Sequence, residues 1–235
     1  MKKSMKMAAG GVLGAVVVGV LALAALKPSE YRIERSIEIS GSADAVYARL
    51  VELAEWEKWS PWRARDPKMK MTYEGPKSGV GATQSWTGSD GDGTLKITDS
   101  VMNQKMRYQL TFKSWDAKSD GEFRLEPVSA ASTRLVWVME GKNGFIGKLF
   151  WMLFGVDKSV TADFDQGLLN IKNVVEQTRA AAIAAAEAAQ AAQAAATAAA
   201  QAAKLEAQAQ AQASAKAQAD AEAVEAQQPV TPTQQ

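Results

Sequence analysis

The alternation of hydrophobic and polar positions changes character several times along the 235-residue chain. From Met7 to Leu26 twenty residues pass without a charge, behind Lys2, Lys3 and Lys6. As a helix rising ~1.5 Å per residue, this run spans about 30 Å, the hydrocarbon thickness of a bilayer. Residues 1–26 are therefore expected to form a retained, single-pass signal anchor. A cleavable signal peptide ending at Ala22-Leu23-Ala24 is the alternative, and it would leave a secreted protein. The basic head favours a cytoplasmic N-terminus and so an extracytoplasmic position for the rest of the chain.

Lys27-Pro28 ends the apolar run, because proline lacks an amide donor and biases its predecessor towards extended backbone. Period-two alternation then begins. Tyr31, Ile33, Ile37 and Ile39 share one face, and Arg32, Glu34, Ser36 and Glu38 share the other, which predicts a half-buried strand. A helix capped by Ser42 is expected to run through Val51, followed by a short turn over Leu53 to Lys58. Strands are predicted over Lys70–Tyr73, Ala82–Thr87, Thr94–Val101, Lys105–Lys113, Glu122–Glu126 and Thr133–Glu140, separated by glycine-rich turns. No long helix interrupts them, so an antiparallel meander is expected. Phe145 to Phe154 is nearly all apolar. Beyond it Val160, Phe164, Leu168, Ile171 and Val175 recur at helical spacing, the stripe of a long amphipathic helix.

After Arg179 the pattern dissolves into alanine. Of 44 alanines, 28 lie between Ala180 and Ala226, and no glycine or proline interrupts that stretch. Alanine's high propensity predicts a helix continuing as far as Glu225, about 100 Å if unbroken from Val156. A partly disordered tether is compatible with the same composition. With Ile183, Leu205 and Val224 almost its only large apolar residues, the segment carries no heptad stripe and argues against a stable coiled coil. Its composition resembles the alanine-rich rods of envelope proteins, so an envelope partner is a candidate. Three segments result: the anchor 1–26, a domain over 27–179 large enough for its own core, and the tail 180–235.

The missing residue types narrow the chemistry. There is no cysteine and no histidine, which excludes Ser-His-Asp and Cys-His nucleophile systems, Cys/His zinc sites and disulfides. Neither a cofactor nor a metal is expected. A net charge of +1 without a basic patch does not indicate nucleic-acid binding.

The element order is strand, two short helices, six strands and long helix. Together with Trp59-Ser60-Pro61-Trp62, Asp66-Pro67, Gly75-Pro76, Gly79-Val80-Gly81-Ala82, Trp86 and the stretch Asp163 to Lys172, it resembles the SRPBCC superfamily, the START/Bet v1-like helix-grip fold. The nearest group is the polyketide cyclase/dehydrase-type proteins, and the resemblance covers roughly Tyr31 to Thr178. It implies an α+β fold in which a curved antiparallel sheet wraps a long C-terminal helix, with a cavity between them. From the sheet, the cavity walls would be Trp86, Leu95, Ile97, Tyr108, Leu110, Phe112, Phe123, Leu125, Trp137 and Met139. Phe164, Leu168 and Ile171 would close it from the helix. Such walls suit a hydrophobic small molecule or lipid. The same side chains would equally fill one another's space as an ordinary core. The resemblance also makes Phe145–Phe154 a lid over the cavity mouth; a docked helix and a segment resting on a membrane interface are the other readings.

For catalysis the candidate acids and bases are Asp66, Asp99, Glu122, Glu140, Asp163 and Asp165, with Tyr108 as a hydrogen-bond donor. Asp66, Tyr108 and Glu140 head the set, but no spacing pairs any two of these groups for general acid/base work. A non-catalytic binding domain is the preferred expectation, and a cyclase/dehydrase-like enzyme is its rival. Trp56, Trp59 and Trp62, at i, i+3 and i+6, are expected to pin a helical turn to the domain body. Arg35 is the one charge on the apolar face of the first strand, where it would snorkel at the sheet's end or hold a ligand head group.

Overall fold

The computed structural model describes residues 18–113 and 117–225. Residues 18–26 are helical. The apolar run expected to form an anchor begins at Met7, so much of it lies outside the described residues. Among the described residues no helix is long and apolar enough to cross a membrane.

The sheet has seven strands: β1 (Glu30–Ile39), β2 (Lys70–Glu74), β3 (Thr83–Thr87), β4 (Gly93–Val101), β5 (Lys105–Phe112), β6 (Ala117–Ser129) and β7 (Ser132–Lys142). Their order is β1-β7-β6-β5-β4-β3-β2, with every pair antiparallel. Between β1 and β2 lie α1 (Ala43–Val51), a 3-10 turn (Leu53–Lys58) and α2 (Pro61–Arg65). After β7 come α3 (Phe145–Phe154) and α4 (Val156–Glu225).

Alternation places one side of every strand inward. On β1 the inward set is Tyr31, Ile33, Arg35, Ile37 and Ile39, paired across β7 with Gly141, Met139, Trp137, Leu135 and Thr133. The α4 stripe Phe164, Leu168, Ile171 and Val175 packs into this face, each at 3% exposure or less. The helix is also held at its edges. Arg35 donates from Nε and Nη2 to the two carboxylate oxygens of Asp165, at 2.6 and 2.9 Å. Lys172 donates to the Glu38 carbonyl, and Glu176 accepts from the Ser40 amide. Arg35, with its side chain 45% exposed, thus clamps the first strand to the last helix.

The three short elements cover the remaining core. Val46 and Leu50 of α1 are fully buried. Ser42 occupies the N-cap of α1 in extended backbone, without the side-chain bond that the sequence suggests. Ser60 does cap α2, accepting from the Arg63 amide, with Pro61 at the first helical position where a missing N–H costs nothing. The loop after β2 needs glycine: Gly75, Gly79 and Gly81 all have positive φ. Gly79 donates to the Val51 carbonyl and Gly81 to that of Ile97, tying the loop to α1 and β4.

On the outer face Val136 and Val138 are nearly inaccessible although they point away from the helix. Charged side chains spread over them. Arg124 bridges Glu34 and Glu122 at 3.1 and 3.2 Å, Arg107 meets Glu122, and Arg32 pairs with Glu34 and Glu140. Their aliphatic stems shield the valines while their heads neutralise one another.

Residues 180–235 form a separate compact unit. Its described part is helical to Glu225, with every side chain from 180 to 219 exposed.

Candidate functional site

The thirteen residues named from sequence as a ligand wall all face the inner side of the sheet or lie on the α4 stripe. Leu95, Ile97, Tyr108, Phe123, Leu125, Trp137, Met139, Phe164, Leu168 and Ile171 are buried. Trp86, Leu110 and Phe112 are only half-buried. This division locates the site. At the sheet centre Trp137 stacks on Phe164 with ring centroids 4.0 Å apart and planes 11° from parallel. Phe123 lies 4.8 Å from Trp137, and Trp56 and Trp59 meet Phe123 edge-on. Protein packs on protein there. Towards β3 and the ends of β4 and β5 the cover thins, leaving Trp86 against Phe112 at 5.8 Å with Leu110 beside them.

Three inward rings lie across glycines. Trp86 stands opposite Gly93, Tyr108 opposite Gly121 and Tyr31 opposite Gly141. A Cβ added at any of these glycines would enter the ring's van der Waals shell. Each ring therefore lies on the neighbouring strand instead of standing up from its own. Bulk is kept on the floor of the concavity.

The inner-face polar groups are few. Tyr31 Oη and Ser119 Oγ share a hydrogen bond of 2.6 Å. Burial raises the Tyr31 pKa in spite of that bond. The Tyr108 hydroxyl accepts from Trp137 Nε1 at 2.8 Å, and complete burial pushes its pKa well above the ordinary phenol range. Tyr108 is thus a fixed element of the core. Gln84 is 7% exposed, and its Oε1 has no hydrogen-bond partner. Sequence reasoning does not single out Tyr31, Ser119 or Gln84 as site residues, although strand parity alone puts Gln84 on the Trp86 side.

The carboxylates named as candidate acids and bases do not converge. Asp66 accepts from the Ser89 and Lys68 amides and holds the β3–β4 turn against the loop after α2. The Ser89 bond, above all, keeps its carboxyl below the usual range. Glu140 lies on the outer face paired with Arg32, on the opposite side of the sheet from Tyr108. Asp99 binds Lys105 at 2.7 Å, and Glu122 binds Arg107 and Arg124. Asp163 takes bonds from Arg65 and from Trp62 Nε1, and Asp165 takes those of Arg35. Each of these carboxylates is held by a cation or by backbone amides.

The tryptophans fit a structural role. Trp56 Nε1 donates to the Leu50 carbonyl at 2.9 Å and Trp59 Nε1 to that of Arg49 at 3.3 Å. Their rings, 4% and 1% exposed, pin the 3-10 turn to the sheet. The outer face has a depression of about 490 Å³, lined by Arg32, Arg107 and Arg124 and by Asp120, Glu122 and Glu140. Its charges balance and neutralise one another.

No curated protein matches the chain. Among solved structures, the Aha1 dimer from Colwellia psychrerythraea is similar at 19% identity and a TM-score of 0.47, over 62% of this chain and 96% of that one. The Zhui aromatase/cyclase from Streptomyces sp. R1128 is similar at 17% identity and 0.47, over 63% and 94%. A norcoclaurine synthase point mutant from Thalictrum flavum, solved with a transition-state analogue, is similar at 14% identity and 0.49, over 66% and 99%. A family model described as polyketide cyclase / dehydrase and lipid transport matches residues 30–176, from the first strand to the buried stretch of α4. The chain belongs to that family, as an SRPBCC protein of polyketide cyclase/dehydrase type.

Proposed function

We propose that the domain binds an apolar small molecule or lipid between the inner face of the sheet and α4, without transforming it. The half-buried patch of Trp86, Leu110 and Phe112 carries the reading. Three large apolar side chains left partly uncovered, beside a core packed to near-zero exposure, offer surface that a ligand would cover. The family's own description includes lipid transport. The absence of a converged acid/base pair among the named carboxylates and Tyr108 favours binding over turnover. α3 sits at the place in the chain where a lid is expected. The N-terminal apolar run would anchor the domain to a membrane, extracytoplasmic side outward, and the alanine-rich tail would reach an envelope partner.

Native mass spectrometry and solvent extraction of the purified full chain test the reading. A co-purifying apolar molecule, or displacement of an apolar fluorescent probe by lipid extract, is the expected result. A chain that carries nothing and takes up no apolar probe overturns it. The rival reading, an enzyme of cyclase/dehydrase type, requires turnover of a cavity-sized polyketide that falls when Tyr108→Phe or Asp66→Asn is introduced.

A further inference from the structure

Among the described residues, Gln84 Oε1 is the one buried side-chain polar atom for which no hydrogen-bond partner is found. Buried polar groups are nearly always paired, so an exception calls for a partner. The surroundings supply none. Across the sheet, the inner-face neighbours of Gln84 are Tyr73 on β2 and Leu95 on β4, with Leu110 next on β5. The Tyr73 hydroxyl is committed to Glu57 Oε1 at 2.6 Å. Further along the same row Ser119 is bonded to Tyr31. Two residues along β3 stands Trp86, lying across Gly93 with Phe112 against it. The unpaired amide is therefore set at the edge of the half-buried aromatic patch.

An acceptor held in an apolar wall discriminates. It gains from a ligand bearing a donor and loses nothing to an apolar ligand that it does not already lack. We infer that Gln84 is the polar anchor of this site, and that its side-chain amide accepts a hydrogen bond from a hydroxyl on an otherwise apolar, ring-bearing ligand. The inference rests on the binding function proposed above and names the class of ligand: a lipophilic alcohol or phenol in preference to a hydrocarbon or a fatty acid anion, for which the described inner face offers no free cation.

The test compares two probes of nearly equal shape, 1-naphthol and 1-methylnaphthalene, titrated into the full chain by calorimetry. The wild-type protein is expected to bind 1-naphthol about tenfold more tightly, the worth of one net hydrogen bond. In Gln84→Met the affinity for 1-methylnaphthalene should hold and the ratio should fall to near one. Ser119→Ala should leave the ratio unchanged. The Gln84 side-chain amide signal in a nitrogen-proton correlation spectrum of the wild type should move with 1-naphthol and stay put with 1-methylnaphthalene. That measurement decides the matter even where the Met variant fails to fold. Binding of both probes with equal affinity by the wild type, or a preference that survives Gln84→Met, overturns the anchor while leaving the binding function standing. Failure of the wild type to bind 1-naphthol and 1-methylnaphthalene alike overturns both.

Discussion

Gly121 lies under the Tyr108 ring, and replacing it with alanine tests how the inner face is built. The added Cβ would meet Cζ, Cε2 and Oη of Tyr108 at once. The ring has nowhere to go. It is 3% exposed, its hydroxyl is fixed by Trp137 Nε1 at 2.8 Å, and Trp56 and Phe123 pack against it at 5.8 and 5.9 Å. Overpacking of this kind costs about 1–3 kcal/mol. Displacing the hydroxyl from Trp137 adds about 1 kcal/mol. The expected total of about 2–4 kcal/mol lowers the melting temperature of a domain this size by about 4–16 °C. Tryptophan fluorescence during thermal unfolding reads the right transition, because all seven tryptophans lie between residues 56 and 151. Gly144→Ala, with no atom within 4 Å of the new Cβ, serves as the neutral control. The clash is specific to the ring, so in a Tyr108→Leu background Gly121→Ala should cost much less than it does alone. A Gly121→Ala protein melting within ~1 °C of wild type, or a cost undiminished by Tyr108→Leu, would refute the ring-on-glycine account.

Glu55 should contribute to the acid sensitivity of the fold. Its carboxyl is held below the usual range by Lys58 at 2.6 Å and by Arg49, which together outweigh partial burial. A carboxylate whose pKa is depressed by folding adds stability above its unfolded value, near pH ~4.3, and that stability is lost as pH falls through the folded value. Glu55→Gln should therefore lose less stability than wild type between pH 5 and 2 in parallel melts; equal losses would remove Glu55 from the explanation. Ending the chain after Arg179 should leave the fluorescence melt unchanged, since side chains 180–219 are exposed. Ending it after Asn170 removes buried Ile171 and Val175, at about 1.5–3 kcal/mol each, and should lower the melt sharply. A measurable drop from the first truncation would show that the tail supports the domain.

Much of the architecture is legible in the residue pattern. Alternation in Tyr31–Ile39 and Lys105–Phe112 marks the inward sets, and the α4 stripe marks the helix that covers them. For β6 the pattern predicts too short a strand. It starts at Ala117, but Ser119, Asp120 and Gly121 interrupt the apolar rhythm and resemble a turn. They belong to the strand because Ser119 finds Tyr31 and Gly121 receives Tyr108, partners supplied by other strands. α2 escapes sequence reasoning because five residues hold too little periodicity, although the Ser60-Pro61 start signal is present. The candidate acids are legible as residue types but not as a set: Glu140 and Tyr108 fall on opposite sides of the sheet only once register is known.

By itself the sequence determined the order of the strands and of the long helix, the inward parity of the strands, the helical stripe and the exclusion of cysteine and histidine chemistry. These are local or compositional properties, set by backbone periodicity and by which side chains exist. Tertiary structure alone decided which inner residues pack to closure and which stay half-covered. It also brought Arg35 to Asp165 across 130 residues, laid three rings on three glycines, and left the Gln84 acceptor unpaired. Each of these depends on which strand or helix arrives opposite a given residue. That is decided by packing and register between distant segments, and no short-range pattern in the chain encodes it.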